Sequence, residues 1–423
     1  MQTSSLEFRS TEEVTAGVAA PSAQTSPREG GMPLIQDLEI RLFERMEPLE
    51  AEWRKLEADS ANSLHQAYDW CASWVKAHRN PLAIILGRWN GETVFILPLE
   101  IVRHGMVRSA QFIAARFNNI NSGLFSAAFR ASAGPAEAAL IRQALTDLLA
   151  GRADLVSLTN IPLEWRGERH PLASLPAIEN QNHAFQLPLM ADFEQTIGQL
   201  NAKRRRKKFR HQCRRLDAAG GFDHVIAQTT KEKNAMLNAF FEQKAIRFKA
   251  IGIPNVFQAP ETQAFFRLLL DVDTGSHDTP LELHAIRLKG EFKGRIAAIA
   301  GLSRKGDHVI CQFGSIDEDL VADASPGELL FWLMIERACE EGASLFDFGL
   351  GDQGYKRSWC TVETVQHDIL VPISTIGQLA GLAQRGMTRA KAVIKGNPQL
   401  YSVIQRLRAH ADEVPIRSTG TDS

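Results

Sequence analysis

The 423-residue sequence contains no C-x-x-C pair and no Cys/His set with zinc-ligand spacing. Its five cysteines, Cys71, Cys213, Cys311, Cys339 and Cys360, are dispersed. That pattern excludes a disulfide framework and predicts reduced thiols in a cytoplasmic protein that needs no metal. An excess of either charge is also missing: 48 Lys and Arg stand against 49 Asp and Glu, a net charge of −1. Nothing global therefore draws the chain to nucleic acid or to a membrane, and any electrostatic partner has to be read from local clusters. No apolar run approaches the roughly 18 residues of a membrane-spanning helix. Residues 1–36 lack the basic start and apolar stretch of a signal peptide; rich in Ser, Thr, Glu, Gly and Pro, they read as a disordered leader, and residues 412–423 as a frayed tail.

What is present is the composition of a globular protein, 44% hydrophobic and 23% charged, long enough for two domains. Two internal matches support that count. PLAIILGRWNGETVFILPLEIV starts at Pro81 and PLELHAIRLKGEFKGRIAAIAGL at Pro280. Both read as strand, tight turn and strand, with Asn90-Gly91 and Lys289-Gly290 at the turns. Further on, Pro135-Ala136-Glu137 opens a helical stretch that ends at Gly151 before a strand. Pro326-Gly327-Glu328 opens another that ends at Gly342 before a strand. Two matches in order make a tandem duplication. The expected fold is α/β, with mixed sheets in two domains, 37–190 and 191–375. One long helix over 193–219 joins them, a strand over 365–373 closes the second, and basic helices follow over 376–411. The third strand of the second half, 308–315, should pair in parallel with the strand that follows the Pro326 helix.

FDFGLGDQGYKRSW, residues 346–359, carries the chemistry. It fits G-x-G-x-x-G, but a short polar segment follows where a dinucleotide-binding unit needs an apolar helix, and no acidic residue closes the next strand. Asp347-Phe348-Gly349 lacks the other parts of a kinase. SPGELL at 325–330, a helix and then D-F-G-x-G-x-x-x-Y-K-x-x-W at 347–359 instead resemble the CelD/BcsL-like (BioF2-like) acetyltransferase family. That family lies in the GNAT superfamily and is related to FemAB-type aminoacyl transferases. The resemblance covers residues 37–385 and takes in the basic segment around Arg204.

This resemblance implies two tandem GNAT-like domains and acetyl-CoA or another acyl-CoA as co-substrate, with its pyrophosphate at the start of the Pro326 helix. Ser325 and Gly327, with Gln312 and Gly314 of the third strand, form the cofactor-binding set. By its own chemistry Ser325 also suits an N-cap, with Glu328 completing a capping box. The segment 322–327 departs from the superfamily's Q/R-x-x-G-x-G/A loop, and Asp323 and Glu328 would repel an anion. Tyr355 is the candidate acid for the leaving thiolate, and Lys356 a holder of phosphate or oxyanion. Asp347 is either a general base or an anchor for Lys356 or Arg357. Arg204, Arg205 and Asp352 are candidate substrate-binding residues, and His284 reads as a satisfied core histidine. The first half lacks the signature, so chemistry is expected in the second.

The expected activity is N- or O-acyl transfer to a sugar or polysaccharide precursor, linked to cellulose or exopolysaccharide biosynthesis. Direct attack fits better than an acyl-enzyme, because neither Cys311 nor Cys339 has an obvious partner base. Two other classes remain open. One is a FemAB-like transferase using aminoacyl-tRNA, with the run from Lys203 to Arg215 on the RNA. The other is a non-catalytic partner of a polysaccharide synthase complex. The basic C-terminal stretch 378–411 reads either as a packing helix or as a peripheral membrane contact.

Overall fold

The structure is a computed structural model that describes residues 38–274 and 278–396. The expected leader (1–36), the frayed tail (412–423) and the end of the basic C-terminal stretch lie outside the described residues.

Two large mixed sheets dominate. The first runs in the order Leu38–Phe43, Leu82–Trp89, Glu92–His104, Val107–Phe112, Leu155–Ile161, His367–Pro372, Ala177–Glu179, with Leu124–Phe125 paired to Glu92–His104. The second runs Phe222–Ile226, Thr279–Leu288, Ile296–Lys305, His308–Ile316, Leu345–Leu350, Ala184–Pro188, Val362–Thr364. Each sheet contains one parallel pair, formed across a helix that begins at a proline: Pro135–Leu148 in the first half and Pro326–Glu340 in the second. A helix crossover is what makes parallel pairing reachable. The two pairs have the same short register. Ser109 faces Leu155, Ala110 faces Val156 and Gln111 faces Ser157; His308, 199 residues after Ser109, faces Leu345, 190 after Leu155, then Val309 faces Phe346 and Ile310 faces Asp347. Beyond the third pair the strands part in both sheets.

Four expectations change. Strand His367–Pro372 pairs with Leu155–Ile161 of the first sheet, not with the second half, while Ala184–Pro188 pairs with Leu345–Leu350 of the second. Each sheet thus takes in a strand from across the 190/191 boundary, one place in from its edge. The second hairpin has no tight turn. A 3-10 turn, Gly290–Phe292, separates its strands, because Gly290 sits against Gly220 so closely that a Cβ would come within 2.7 Å of the Gly220 Cα. The first hairpin keeps Asn90 (φ 51°) and Gly91 (φ 81°) at a two-residue turn. Finally, the joining helix is two helices, Phe193–Gly198 and the basic helix Ala202–Ala218. The break falls where the Asn201 side chain accepts the Arg204 N–H (3.1 Å) and caps the second.

A shared apolar core joins the halves. Trp70, Trp74 and Phe117 of the first pack with Phe257, Phe265 and Phe266 of the second; Trp70 and Phe265 meet edge to face at 5.2 Å. Truncating Phe265 there would cost about 3–5 kcal/mol, the penalty of a core position, so the seam between the halves is packed like an interior.

Candidate active site

The cleft lies where His308–Ile316 and Leu345–Leu350 separate. In the first sheet the corresponding gap is plugged by the chain itself. There the Asn121 N–H donates to Asn160 O (2.8 Å), its side chain to Thr159 O (2.8 Å), and the Asn160 side chain to Asn118 O (3.0 Å). In the second sheet the gap is a cleft of about 1020 Å³. Cys311 to Ile316, Phe348, Leu350, Tyr355 and Lys356 line it, with Ser325, Pro326 and Gly327 at one end. Among the described residues, then, it is the second half that has space for a ligand between its parted strands, the half that carries the signature.

The start of helix Pro326–Glu340 forms one wall. Gly327 approaches Ile316 so closely that a Cβ would stand 2.8 Å from Ile316 Cγ2, which keeps the helix end tight against the parted strand. The N–H groups of Glu328 and Leu329 donate to Ser325 O, leaving Gly327 as the first-turn amide without an intrahelical acceptor. Ser325 does not cap: it is left-handed (φ 48°) and its side chain makes no cap bond. Nor does Glu328 close a capping box. Its carboxylate is held from the basic helix by Arg205 (2.6 Å) and Lys208. Asp323 pairs with Arg215. The two carboxylates expected to repel an anion are thus neutralised by three cations.

Arg205 and Asp352, expected to bind substrate, both have partners within the protein. The Arg205 guanidinium lies 3.8 Å over the Trp359 ring, pairs with Glu328 and donates to Ser358 O, so the buried side chain ties the basic helix to the signature segment. Asp352 is held by Arg357 (2.6 Å). Arg204 is exposed on the basic helix.

Lys356 is buried, and its Nζ donates to Gly349 O (3.2 Å) and Leu350 O (2.5 Å). Burial lowers its pKa below the ordinary lysine value. Tyr355 stacks on Phe331 (5.3 Å between centroids, 13° between planes), and burial pushes its phenol well up. The Cys311 thiol is pushed by burial up to about 12, which makes it a poor nucleophile.

Asp347 is fully buried and anchors neither Lys356 nor Arg357. Its Oδ2 accepts from Gln186 Nε2 (3.0 Å) and lies 3.3 Å from His308 Nε2, while Oδ1 accepts the Gly349 N–H (2.7 Å). Burial alone would raise its pKa; these bonds outweigh it and hold the carboxyl below its ordinary range. The side chain borders a separate cavity of about 30 Å³, shared with His65, His308, Trp165 and Lys305. His284, 1% exposed, lies outside the cleft, bonded to Glu282 (2.7 Å) and His224 (3.1 Å).

Sequence reasoning missed the first half's contribution. Asn119 lines both the cleft and the small cavity. Its Nδ2 donates to Gln312 Oε1 (3.2 Å), and His65 Nε2 lies 3.1 Å from the same oxygen. His65 is fully buried and burial lowers its pKa to about 4, so the imidazole is neutral. Gln312 Nε2, buried at the cleft wall, has no protein partner among the described residues. A buried donor left in that state costs about 1–3 kcal/mol unless a ligand or water accepts from it. Lys244 also lines the cleft, its Nζ 5.6 Å from the Phe248 ring and without a carboxylate among the described residues. The run Asn118-Asn119-Ile120-Asn121 was the available signal, since buried asparagines at that density have to bond something.

Residues 203–357 match the family described as acetyltransferase (GNAT) domain. FemX has a similar structure, with a TM-score of 0.55 at 14% identity over 81% of this chain and 99% of that one. Weaker likenesses are L-PGS from Bacillus licheniformis (TM-score 0.46, 10% identity, 78% and 92% covered) and a tandem GNAT protein from the clavulanic acid biosynthesis pathway (0.46, 11%, 79% and 98%). No curated protein matches the chain. At these identities the likeness to solved structures is one of fold. Two tandem GNAT-like sheets with the matched segment spanning the open cleft make this chain an acyltransferase-type enzyme with a GNAT acetyltransferase domain in its second half.

Proposed function

We propose that the protein transfers an acyl group from acyl-CoA, acetyl-CoA first among donors, to an amine or hydroxyl of a sugar or polysaccharide precursor in cellulose or exopolysaccharide synthesis. The observation that carries the donor half of this reading is the cleft between the parted strands, with Gly327 at one end and Tyr355 and Lys356 at its wall. The acceptor half rests on the resemblance of the 347–359 signature to the CelD/BcsL-like family.

In this reading the pantetheine arm lies between the parted strands, and the Gly327 amide with the helix dipole receives the pyrophosphate. The acceptor nitrogen or oxygen attacks the thioester carbonyl, so a C–N or C–O bond forms as the C–S bond breaks. The acceptor's proton leaves to water at the open cleft. The buried Lys356 Nζ and the unpartnered Gln312 Nε2 donate to the oxyanion. Tyr355, a phenol protonated at neutral pH, gives its proton to the leaving thiolate. Asp347 is a positioning residue that fixes Gly349 and His308.

The test is a thiol-release assay with acetyl-CoA and a panel of amino sugars and glycan precursors. Acceptor-dependent release that Lys356→Ala abolishes supports the reading. Donor binding without release for any sugar acceptor would overturn the acceptor class, and binding of aminoacyl-tRNA in place of acyl-CoA would overturn the donor.

A further inference from the structure

The helix Thr375–Gly396, TIGQLAGLAQRGMTRAKAVIKG, contains no acidic residue. Its inner face is fixed on the first sheet. At Gly377 a Cβ would stand 1.6 Å from Asp154 O, so only glycine lets the helix sit there, and Gly381 rests against Leu155 and Pro372. Ser374, just before the helix, donates to Asp154 Oδ1 (3.0 Å). That seating decides which residues face outward. Leu379 is 66% exposed, Leu382 63%, Met387 60% and Ile376 43%. Ala383, Gly386 and Ala390, between them, are exposed too. At 100° per residue these seven fall within an arc of about 140°. Arg389 flanks the arc on one side and Lys391 on the other, and both are exposed.

An outward stripe of aliphatic side chains between basic flanks, with no carboxylate to repel a negative surface, is the pattern of a helix that lies in a bilayer interface. No helix among the described residues is long and apolar enough to cross a membrane, so the contact is one of lying on it. A second copy is the poorer occupant, because pairing two such faces would bring arginines against arginines. We propose that this face docks the protein on bilayers bearing anionic phospholipid.

Flotation of the full-length chain with phosphatidylcholine vesicles, with and without phosphatidylglycerol, tests this. The expected result is binding to the phosphatidylglycerol vesicles that weakens as salt rises, with little binding to phosphatidylcholine alone. Leu379→Asp with Leu382→Asp, and separately Arg389→Glu with Lys391→Glu, should each lower binding by more than about tenfold. All four positions are exposed, and circular dichroism checks that the fold is kept. No binding to anionic vesicles, or binding that Leu379→Asp with Leu382→Asp leaves unchanged, would overturn the proposal. So would a dimer in solution that the same pair of substitutions dissociates, because a second copy would then cover the face.

Discussion

Gly349→Ala tests whether the first half reaches the reacting cleft. Gly349 has φ +71°, where an L-residue costs roughly 1–2 kcal/mol. A Cβ there would also stand 2.8 Å from Asn119 Oδ1 and 2.9 Å from both Cγ and Nδ2, so the whole amide would have to rotate away. Rotation breaks its bond to Gln312 Oε1, a loss of about 0.5–1.5 kcal/mol. The expected destabilisation is about 2–3 kcal/mol. Gly351→Ala is the control. Its φ is +98°, but the nearest atom is the flexible Gln353 tip at 3.0 Å, so only the backbone cost of roughly 1–2 kcal/mol should appear. Equilibrium urea unfolding of wild type, Gly349→Ala, Asn119→Ala and the double variant closes a cycle. Close to 1 kcal/mol of the Gly349→Ala effect should vanish in the Asn119→Ala background. Strict additivity would refute the reasoning, since Asn119 would then not occupy the space over Gly349.

Three further outcomes follow from the same geometry. Arg205→Ala should cost about 3–5 kcal/mol by urea unfolding, because it leaves the Glu328 carboxylate short of a partner and uncovers Trp359, whereas Arg204→Ala should stay within about 0.5 kcal/mol. His65 and His170 are buried neutral with pKa values lowered to about 4, so the unfolded chain binds more protons below its ordinary histidine pKa. Stability should therefore be full above pH ~6.5 and fall progressively towards pH ~4, by as much as about 3 kcal/mol per histidine. His170→Gln should flatten that slope in unfolding measured across pH, and an unchanged slope would contradict the assignment. Tyr355→Phe should lower kcat by about 10²-fold in the thiol-release assay while leaving acetyl-CoA affinity unaltered, since in the proposed mechanism the phenol protonates the leaving thiolate, and the variant ring still stacks on Phe331.

Local chemistry was legible in the sequence, and long-range closure was not. Asn90-Gly91 announces its turn because both residues tolerate positive φ. The Pro326 and Pro135 helices, and the parallel strands behind them, follow from Pro at the start and Gly past the end. Tyr355 and Lys356 stood out by their place after the glycine turn, and both line the cleft. Strand His367–Pro372 reads the same whichever sheet it joins, so its move to the first sheet leaves no local trace. The basic run offers Arg204 and Arg205 alike as substrate-binding cations, yet Arg205 turns inward because Glu328 and Trp359, more than 100 residues away, offer an ion pair and a ring face. Asn119 and His65 meet Gln312 only because the halves share a core, which no spacing along the chain encodes.

The proposed site for an acyl-CoA donor is the opening between His308–Ile316 and Leu345–Leu350. Calorimetric titration of the full-length protein with acetyl-CoA, alongside Gly327→Asp, tests it most directly. Aspartate at that position adds a carboxylate at the helix end and displaces only the half-exposed Ile316 side chain. The predicted result is binding in the micromolar range, lost in a Gly327→Asp variant that keeps its circular dichroism. No heat of binding at millimolar acetyl-CoA, or equal affinity in the variant, would contradict the claim.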